Sequence, residues 1–287
     1  MARKLPLIHR YLRKDKKFPT VWCPGCGIGV VLGSLIRAVH NAGIPKDDVV
    51  LVSGIGCTGR MPVYVDFNTL HTTHGRALTF ASGVRLANPR LKVITVMGDG
   101  DAIAIGGNHF IHACRRNIEI TAIVVNNFIY GMTGGQFSPT TPTGDISATS
   151  PYGNLAQSVD ICELARDCGA SYVARSTIYH VNEMEKQIAR AVTTSGFSVV
   201  EVLSTCYSRY GKLNQKGSPR EMFLALKDQT VPIAKAAGDG RISRGVFIDR
   251  AEAAYSDTYQ AIVAKAREHD AGEPLPLLDP ARTGGTR

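Results

Sequence analysis

The sequence predicts an α/β protein: an open, mostly parallel sheet with helices on both faces. Three observations lead there. Short apolar runs of strand length alternate along the chain with longer runs of helical length. Several of the short runs end in a glycine turn, the usual punctuation where a strand hands over to a helix. The residues with chemistry, Cys57, Asp99 and Asn127, each stand just past the carboxyl end of such a run, and Cys206 stands close behind another. In open α/β sheets that edge is where ligands bind.

At 287 residues the chain has room for one large domain or two small ones. With 44% hydrophobic and 20% charged residues it reads as an ordinary globular protein. No apolar run reaches the roughly 18–20 residues that span a bilayer. The basic N-terminus lacks the apolar core of a signal peptide, so a cytoplasmic protein without a membrane role is expected. Most of the net charge of +9 sits in residues 1–17, which carry seven basic side chains against Asp15 alone. A basic terminus can bind nucleic acid or an acidic protein. Without aromatic interleaving or a helix-turn-helix pattern, residues 1–20 are expected to be a solvated arm that packs on a partner subunit, with no nucleic acid bound. Seven cysteines in a cytosolic chain point to metal or chemistry rather than disulfides.

In order, the arm leads to Trp22-Cys23-Pro24-Gly25-Cys26-Gly27, where Pro-Gly makes a tight turn that can aim both sulfurs at one point. Ile28–Ala42 is expected as a helix stopped by Gly43. Asp48–Ser53 reads as a buried strand running into Gly54-Ile55-Gly56-Cys57-Thr58-Gly59-Arg60. His71-Thr72-Thr73-His74-Gly75-Arg76 precedes a helix to about Ala87. The strand Lys92–Met97, the helix Ala102–Arg116 and the strand Glu119–Val125 form the central unit. Tyr130–Gln136 is a glycine-rich loop, and Phe137–Tyr152, with many Ser, Thr and Pro, is a long ordered loop over the site. Then come the helix Asn154–Gly169, the strand Ser171–Arg175, the helix Val181–Ser195 and the strand Phe197–Leu203. Residues 209–250 are less periodic, and a last helix, Ala251–His269, precedes a loose tail. One domain is expected over 21–225, with 226–287 an extension holding one helix.

The central unit ends its first strand in Gly98-Asp99-Gly100-Asp101 and its second in Asn126-Asn127. Glycines let the backbone approach a phosphate, and a helix N-terminus offers free N–H groups. Asp99 would repel a phosphate unless a divalent cation lay between them, and Mg²⁺ bridges carboxylate to phosphate in this way. The amide oxygen of Asn127 can supply a second ligand and the carbonyl of Ile129 a third. The pattern, 28 positions from Asp99 to Asn127, resembles the diphosphate motif of thiamine-diphosphate enzymes. The plainer alternative is a βαβ unit with a glycine turn and an N-capping Asp.

Cys23, Cys26, Cys57 and Cys206 fall in expected loops, whereas Cys114, Cys162 and Cys168 fall in expected helices and read as small buried hydrophobes. Four convergent thiolates suit Zn²⁺ or an iron–sulfur cluster. One close pair joined to two distant singletons fits a cubane at least as well as zinc. A redox dithiol at Cys23 and Cys26 is a third reading, one that leaves Cys57 and Cys206 without a role.

Taken together, Cys-Pro-Gly-Cys-Gly, Gly-Ile-Gly-Cys-Thr-Gly-Arg, His-Thr-Thr-His-Gly-Arg, Gly-Asp-Gly-Asp and Asn-Asn-Phe-Ile-Tyr-Gly-Met-Thr-Gly-Gly-Gln resemble the β subunit of 2-oxoacid:ferredoxin oxidoreductases, most closely the 2-oxoglutarate type. The resemblance covers roughly residues 18–225. It implies a thiamine-diphosphate-binding fold, thiamine diphosphate, Mg²⁺ and one [4Fe–4S] cluster. Cys23, Cys26, Cys57 and Cys206 become the cluster ligands by this resemblance. Asp99, Asn127 and the Ile129 carbonyl become the Mg²⁺ ligands, with Gly98, Gly100 and Asp101 lining the diphosphate. Tyr130, Gly131, Met132 and Thr133 would complete the cofactor loop, unless Met132 simply packs there. The implied reaction takes 2-oxoglutarate, coenzyme A and oxidised ferredoxin to succinyl-CoA, CO₂ and reduced ferredoxin, reversibly. The cofactor-activating glutamate is implied to come from a separate α subunit. His74, with Thr58 or Thr73, is expected to donate hydrogen bonds near the reacting centre, against a plain packing or capping role. Arg60 is expected to pair with a substrate carboxylate, against a surface ion pair. Arg209, Lys212 and Lys216 form either a solvated face or a docking patch for acidic ferredoxin. Other 2-oxoacids (pyruvate, branched-chain or aryl), a non-redox lyase with structural zinc and a non-catalytic electron-transfer subunit remain as alternatives.

Overall fold

A computed structural model describes residues 6–15, 18–236, 238 and 240–268. In chain order the elements are α1 (Ile28–Asn41), β1 (Val49–Ser53), β2 (Asn68–His71), α2 (Ala77–Ala87), β3 (Lys92–Gly98), α3 (Gly107–Arg116), β4 (Thr121–Asn126), β5 (Ile129–Tyr130), β6 (Gln136–Phe137) and α4 (Ile161–Asp167). They continue with β7 (Tyr172–Thr177), α5 (Val181–Thr193), β8 (Ser198–Leu203), α6 (Pro219–Asp228), β9 (Thr230–Pro232), β10 (Ile242–Asp249) and α7 (Tyr255–Glu268).

Eight strands form one sheet in the order β2-β1-β3-β4-β8-β7-β10-β9. It is parallel throughout except where β10 runs against β7. The four strands β1, β4, β7 and β8 are buried along their whole length. Both faces are covered, which is why β1 and β4 read as nearly continuous apolar runs rather than alternating ones. On one face α1 and α5 pack through Leu35, Ile36, Ile188 and Val192 onto Leu51, Ile94 and Val200. On the other, α2, α3 and α4 pack through Leu78, Phe110 and Ile161 onto Val93, Val124 and Val199. The two cores hold the carboxyl ends of β1, β3, β4 and β8 in one row. Among the described residues no helix is long and apolar enough to cross a membrane.

Four expectations need correction. The described part of the N-terminal arm, expected to be a solvated extension, packs on the body of this chain. Leu12 bridges to Val65, Arg13 donates to the Val65 carbonyl and Thr69 Oγ1 at 2.8 Å each, and Tyr11 Oη meets His40 Nδ1 at 2.9 Å. Its apolar Ile8, Tyr11 and Leu12 rest against the core while charges between them face out. The expected helix 102–116 begins with a wide π-type turn, Gly100–Ile105, before α3. The expected helix 154–169 shrinks to α4. Asn154 is held in extended chain by donating to the Thr141 carbonyl at 2.8 Å, and Asp160 caps the true start by accepting from the Glu163 N–H at 2.9 Å. A domain boundary at 225 would cut α6, which a Ser218–Glu221 capping box begins. Beyond it β9 and β10 extend the same sheet, so the expected one-helix extension also carries two of its strands. The expected loose tail beyond residue 268 lies outside the described residues.

Candidate functional site

Two adjoining cavities open at the carboxyl edge of the sheet. The larger, about 330 Å³, is walled by Cys23, Cys26, Cys57 and Cys206, with Trp22 and Arg60 at its side. The smaller, about 90 Å³, is lined by Thr58, His74, the stretch Gly98–Asp101 and residues 129–133. Cys57, Asn127, Gly131 and Met132 belong to both. The expected cluster, Mg²⁺ and cofactor-loop residues, with Thr58, His74 and Arg60, all border one cavity or the other, and Arg209 lines the larger, whereas Thr73, Lys212 and Lys216 border neither. Arg60 is exposed beside the cysteines and does not line the smaller cavity.

In the smaller cavity, β3 delivers Asp99 and β4 delivers Asn127, because each follows its strand end. Asp99 is 2% exposed. Its Oδ2 accepts from Ser138 Oγ at 2.5 Å and Thr140 Oγ1 at 2.7 Å. Burial raises its carboxyl above the usual range, and bonds from Ser138, Thr140 and the Asn127 N–H pull it partly back. Among the described residues no cation pairs with it. Asn127 Oδ1 is a buried acceptor with no partner. A buried carboxylate without a countercharge, beside an unpaired amide oxygen, is a costly arrangement in isolation. Both costs disappear if a divalent cation sits between them.

Gly100 is required by a close approach: a Cβ there would lie 2.3 Å from the Tyr130 ring. Tyr130 Oη donates to the Gly100 carbonyl at 3.0 Å, tying the glycine turn to the loop after β4. Burial pushes the Tyr130 phenol up to about 12, so it stays a donor at neutral pH. Asp101 turns to the other side. Its Oδ1 meets His74 Nδ1 at 2.5 Å and accepts from the Gly75 N–H at 2.7 Å, while its buried Oδ2 has no partner. Burial raises this carboxyl too, against the Gly75 and His74 bonds that lower it. Asp101 thus carries the His74 loop as well as bordering the cavity. His71 instead meets Ser53 Oγ at 2.9 Å, a packing role. Thr133 Oγ1 is engaged with Gln136 Oε1 at 2.6 Å, and Met132 is 48% exposed.

Among the cysteines, burial pushes the Cys26 thiol up to about 11, with smaller contributions from Cys57, Cys206 and Cys23. Burial likewise raises Cys57, followed by Cys206 and Cys23. The sulfurs therefore feel one another, yet no three of them lie within 4.8 Å of each other. A single Zn²⁺ with Zn–S bonds near 2.3 Å would hold its sulfurs roughly 3.8 Å apart. Cys114 and Cys162 are buried in α3 and α4, and Cys168 is half-buried at the end of α4.

Sequence reasoning missed Ser138 and Thr140 as parts of the site. The Ser- and Thr-rich loop was expected over the site, but its two bonds to Asp99 span 39 and 41 positions and leave no local signal.

Residues 53–202 match the family of the thiamine pyrophosphate enzyme C-terminal TPP-binding domain. The chain is 56% identical over 218 residues to the 2-oxoglutarate synthase subunit KorB of Archaeoglobus fulgidus, spanning 76% of this chain and 79% of that protein. It is 41% identical over 264 residues to the subunit of the same name from Methanocaldococcus jannaschii, spanning 90% and 97%. Among solved structures, the 2-oxoglutarate:ferredoxin oxidoreductase from Magnetococcus marinus, with 2-oxoglutarate, coenzyme A and succinyl-CoA bound, matches with a TM-score of 0.81 at 29% identity, covering 95% of this chain and 94% of that one.

Proposed function

The chain belongs to the 2-oxoacid:ferredoxin oxidoreductase β-subunit family, the 2-oxoglutarate synthase KorB group, and we propose from this that it converts 2-oxoglutarate and coenzyme A to succinyl-CoA with ferredoxin as electron acceptor. Its thiamine diphosphate-binding domain spans residues 53–202.

The observation that carries the reading is the pairing of Asp99 with Asn127. A buried carboxylate without a cation and a buried amide oxygen without a donor meet at the end of adjacent strands. Mg²⁺ takes oxygen ligands and joins carboxylate to phosphate, so Asp99, Asn127 and the carbonyl of Ile129 would hold it. Gly98, where an added Cβ would meet only Thr58 Oγ1 at 3.9 Å, leaves room for the diphosphate. Cys23, Cys26, Cys57 and Cys206, which wall one cavity, would hold a [4Fe–4S] cluster. When bound, thiamine diphosphate supplies the nucleophilic carbon and electron sink for decarboxylation, and the cluster accepts electrons one at a time.

The chain's own residues do the rest. Asp101 fixes the His74 ring through Nδ1, leaving Nε2 as the ring's remaining polar atom beside the cavity. Thr58, buried at the same wall, adds a hydroxyl. Arg60 is assigned to an approaching carboxylate at the mouth. Among the described residues no glutamate lines either cavity, which supports an α subunit as the source of the cofactor-activating carboxylate.

The test is anaerobic co-purification with the partner α subunit, followed by iron, acid-labile sulfide, zinc and thiamine diphosphate analysis and a 2-oxoacid panel with viologen as acceptor. Iron with sulfide and fastest turnover of 2-oxoglutarate are expected. Zinc in place of iron, or a preference for pyruvate, would overturn the corresponding part.

A further inference from the structure

A second buried charge pair lies deeper in the sheet, outside the roles assigned so far. Glu201 on β8 is 1% exposed and Arg175 on β7 is 3% exposed. They face each other in register on adjacent strands. Burying both charges costs several kcal/mol per ion, and an apolar pair of similar volume often serves a fold as well. The pair therefore calls for a role beyond packing. Asp160, Cys162 and Glu201 do bring three metal-type donors within 4.8 Å. The guanidinium already fills that place: Arg175 Nε donates to Glu201 Oε2 at 2.6 Å and Nη2 to Asp160 Oδ1 at 2.5 Å. Cys162 Sγ also donates to Oε2, at 3.3 Å. This is an ion pair and not a metal site.

Those bonds occupy Oε2. The other oxygen, Oε1, accepts from Asn126 Nδ2 at 2.8 Å. A carboxylate can only accept, so it dictates which way the amide of Asn126 points. Asn126 Oδ1 is thereby turned toward the loop. There it accepts from the Phe128 N–H at 3.0 Å and lies 3.0 Å from Thr140 Oγ1, the hydroxyl that reaches Asp99. Phe128 has φ of 65°. That left-handed conformation is unusual for a bulky residue and persists only where its surroundings enforce it. The turn so enforced carries Asn127 and Ile129.

The geometry points to Glu201, oriented by Arg175, as a positioning residue for the metal–diphosphate site: it sets the polarity of the Asn126 amide and, through it, the turn that presents Asn127 and Ile129. This inference rests on the reading of Asp99 and Asn127 as that site.

A single-atom change tests it. In Glu201→Gln, Arg175 still needs an acceptor and takes the new amide oxygen, so an NH₂ faces Asn126 Nδ2. Asn126 must turn over, and its own NH₂ then opposes the Phe128 N–H. Adding Asn126→Asp restores acceptors toward both neighbours and returns the net charge to its original value. Mg²⁺-dependent binding of thiamine diphosphate to the αβ complex, stripped of cofactor by chelation, is measured by calorimetry alongside the melting midpoint. Glu201→Gln is expected to weaken binding about tenfold or more, the range seen when partners of metal ligands are lost. The double variant is expected to recover most of that loss. Asn126→Ala, which cuts the link and leaves Arg175–Glu201 in place, is expected to weaken binding to a similar degree. Wild-type affinity in Glu201→Gln or in Asn126→Ala, or a loss that the double variant does not recover, overturns the positioning role. Asp99→Asn separates the two ideas: if it too binds normally, the site reading itself fails, and if it alone loses binding, only the positioning role fails.

Discussion

His74 Nδ1 and Asp101 Oδ1 lie 2.5 Å apart, and the Gly75 N–H reaches the same oxygen at 2.7 Å. One buried carboxylate thus holds both a ring and the turn that presents it. Removing the ring and removing its holder should therefore differ. His74→Ala is expected to lower kcat while leaving thiamine diphosphate affinity and melting midpoint close to wild type. Asp101→Ala leaves two donors without their acceptor and is expected to cost about 1–3 kcal/mol of stability as well as turnover. Steady-state kinetics paired with chemical denaturation separates the two patterns. Equal losses of stability in both variants would remove the distinction.

Asp99 sets function against stability. Burial is the main reason its carboxyl is raised, so in the folded chain without cofactor Asp99 holds its proton to a higher pH than an exposed aspartate does. A raised carboxyl contributes stability that is fully present at acid pH and is lost as pH rises through its folded value. Asp99→Asn is neutral at every pH. The cofactor-free variant is expected to be more stable than wild type at pH 7 by about 1 kcal/mol, roughly 2–4 °C for a chain of this size. The gap should close toward pH 4, near the ordinary carboxyl range. With saturating Mg²⁺ and thiamine diphosphate the order should reverse, because only wild type gains binding energy. Thermal melts at two pH values, with and without cofactor, decide it.

Cys206 arrives from β8 to meet cysteines from three other positions of the chain, and Gly131 passes close beside it. A Cβ on Gly131 would sit 3.2 Å from Cys206 Sγ. Cys206→Ala is expected to lose most of its iron and sulfide, to bleach the visible absorbance and to stop ferredoxin reduction. An intact cluster in this variant would remove Cys206 from the ligand set.

The glycine turn offers a steric test. Gly100→Ala drives a methyl to 2.3 Å from the Tyr130 ring. Overpacking of this kind costs about 1–3 kcal/mol. Here it should also break the Tyr130–Gly100 bond that joins the two halves of the smaller cavity. Weaker thiamine diphosphate binding in calorimetry is expected, and an alanine variant that binds normally would show that the turn yields freely.

Much of this site was legible because its residues lie at strand ends, where glycine turns and polar residues interrupt apolar runs. Asp99, Asn127 and Cys57 could be placed on one edge from that punctuation alone. Glu201 could not, since Phe197–Leu203 reads as one more buried apolar strand and its partner Arg175 closes the expected strand Ser171–Arg175, which in the fold runs on to Thr177. The start of α4 was written in Asp160 and Glu163, but the apolar Leu155 and Val159 upstream mimicked helical spacing. Their irregular path starts from Asn154, which bonds to a loop thirteen positions back. The strand β10 escaped notice because it runs antiparallel and half-exposed at the far side of the sheet, without the dense apolar pattern of the centre.

The partition formed by Cys57, Asn127, Gly131 and Met132 is common to both cavities. An electron passing between the proposed cofactor and the proposed cluster would cross only these shared residues. Cys23 stands exposed at the outer mouth, so dioxygen arriving there meets the same short route inward. With the proposed cluster and cofactor in place, fast electron transfer and sensitivity to air would have a common origin, and a mutation that thickens the partition would trade one against the other.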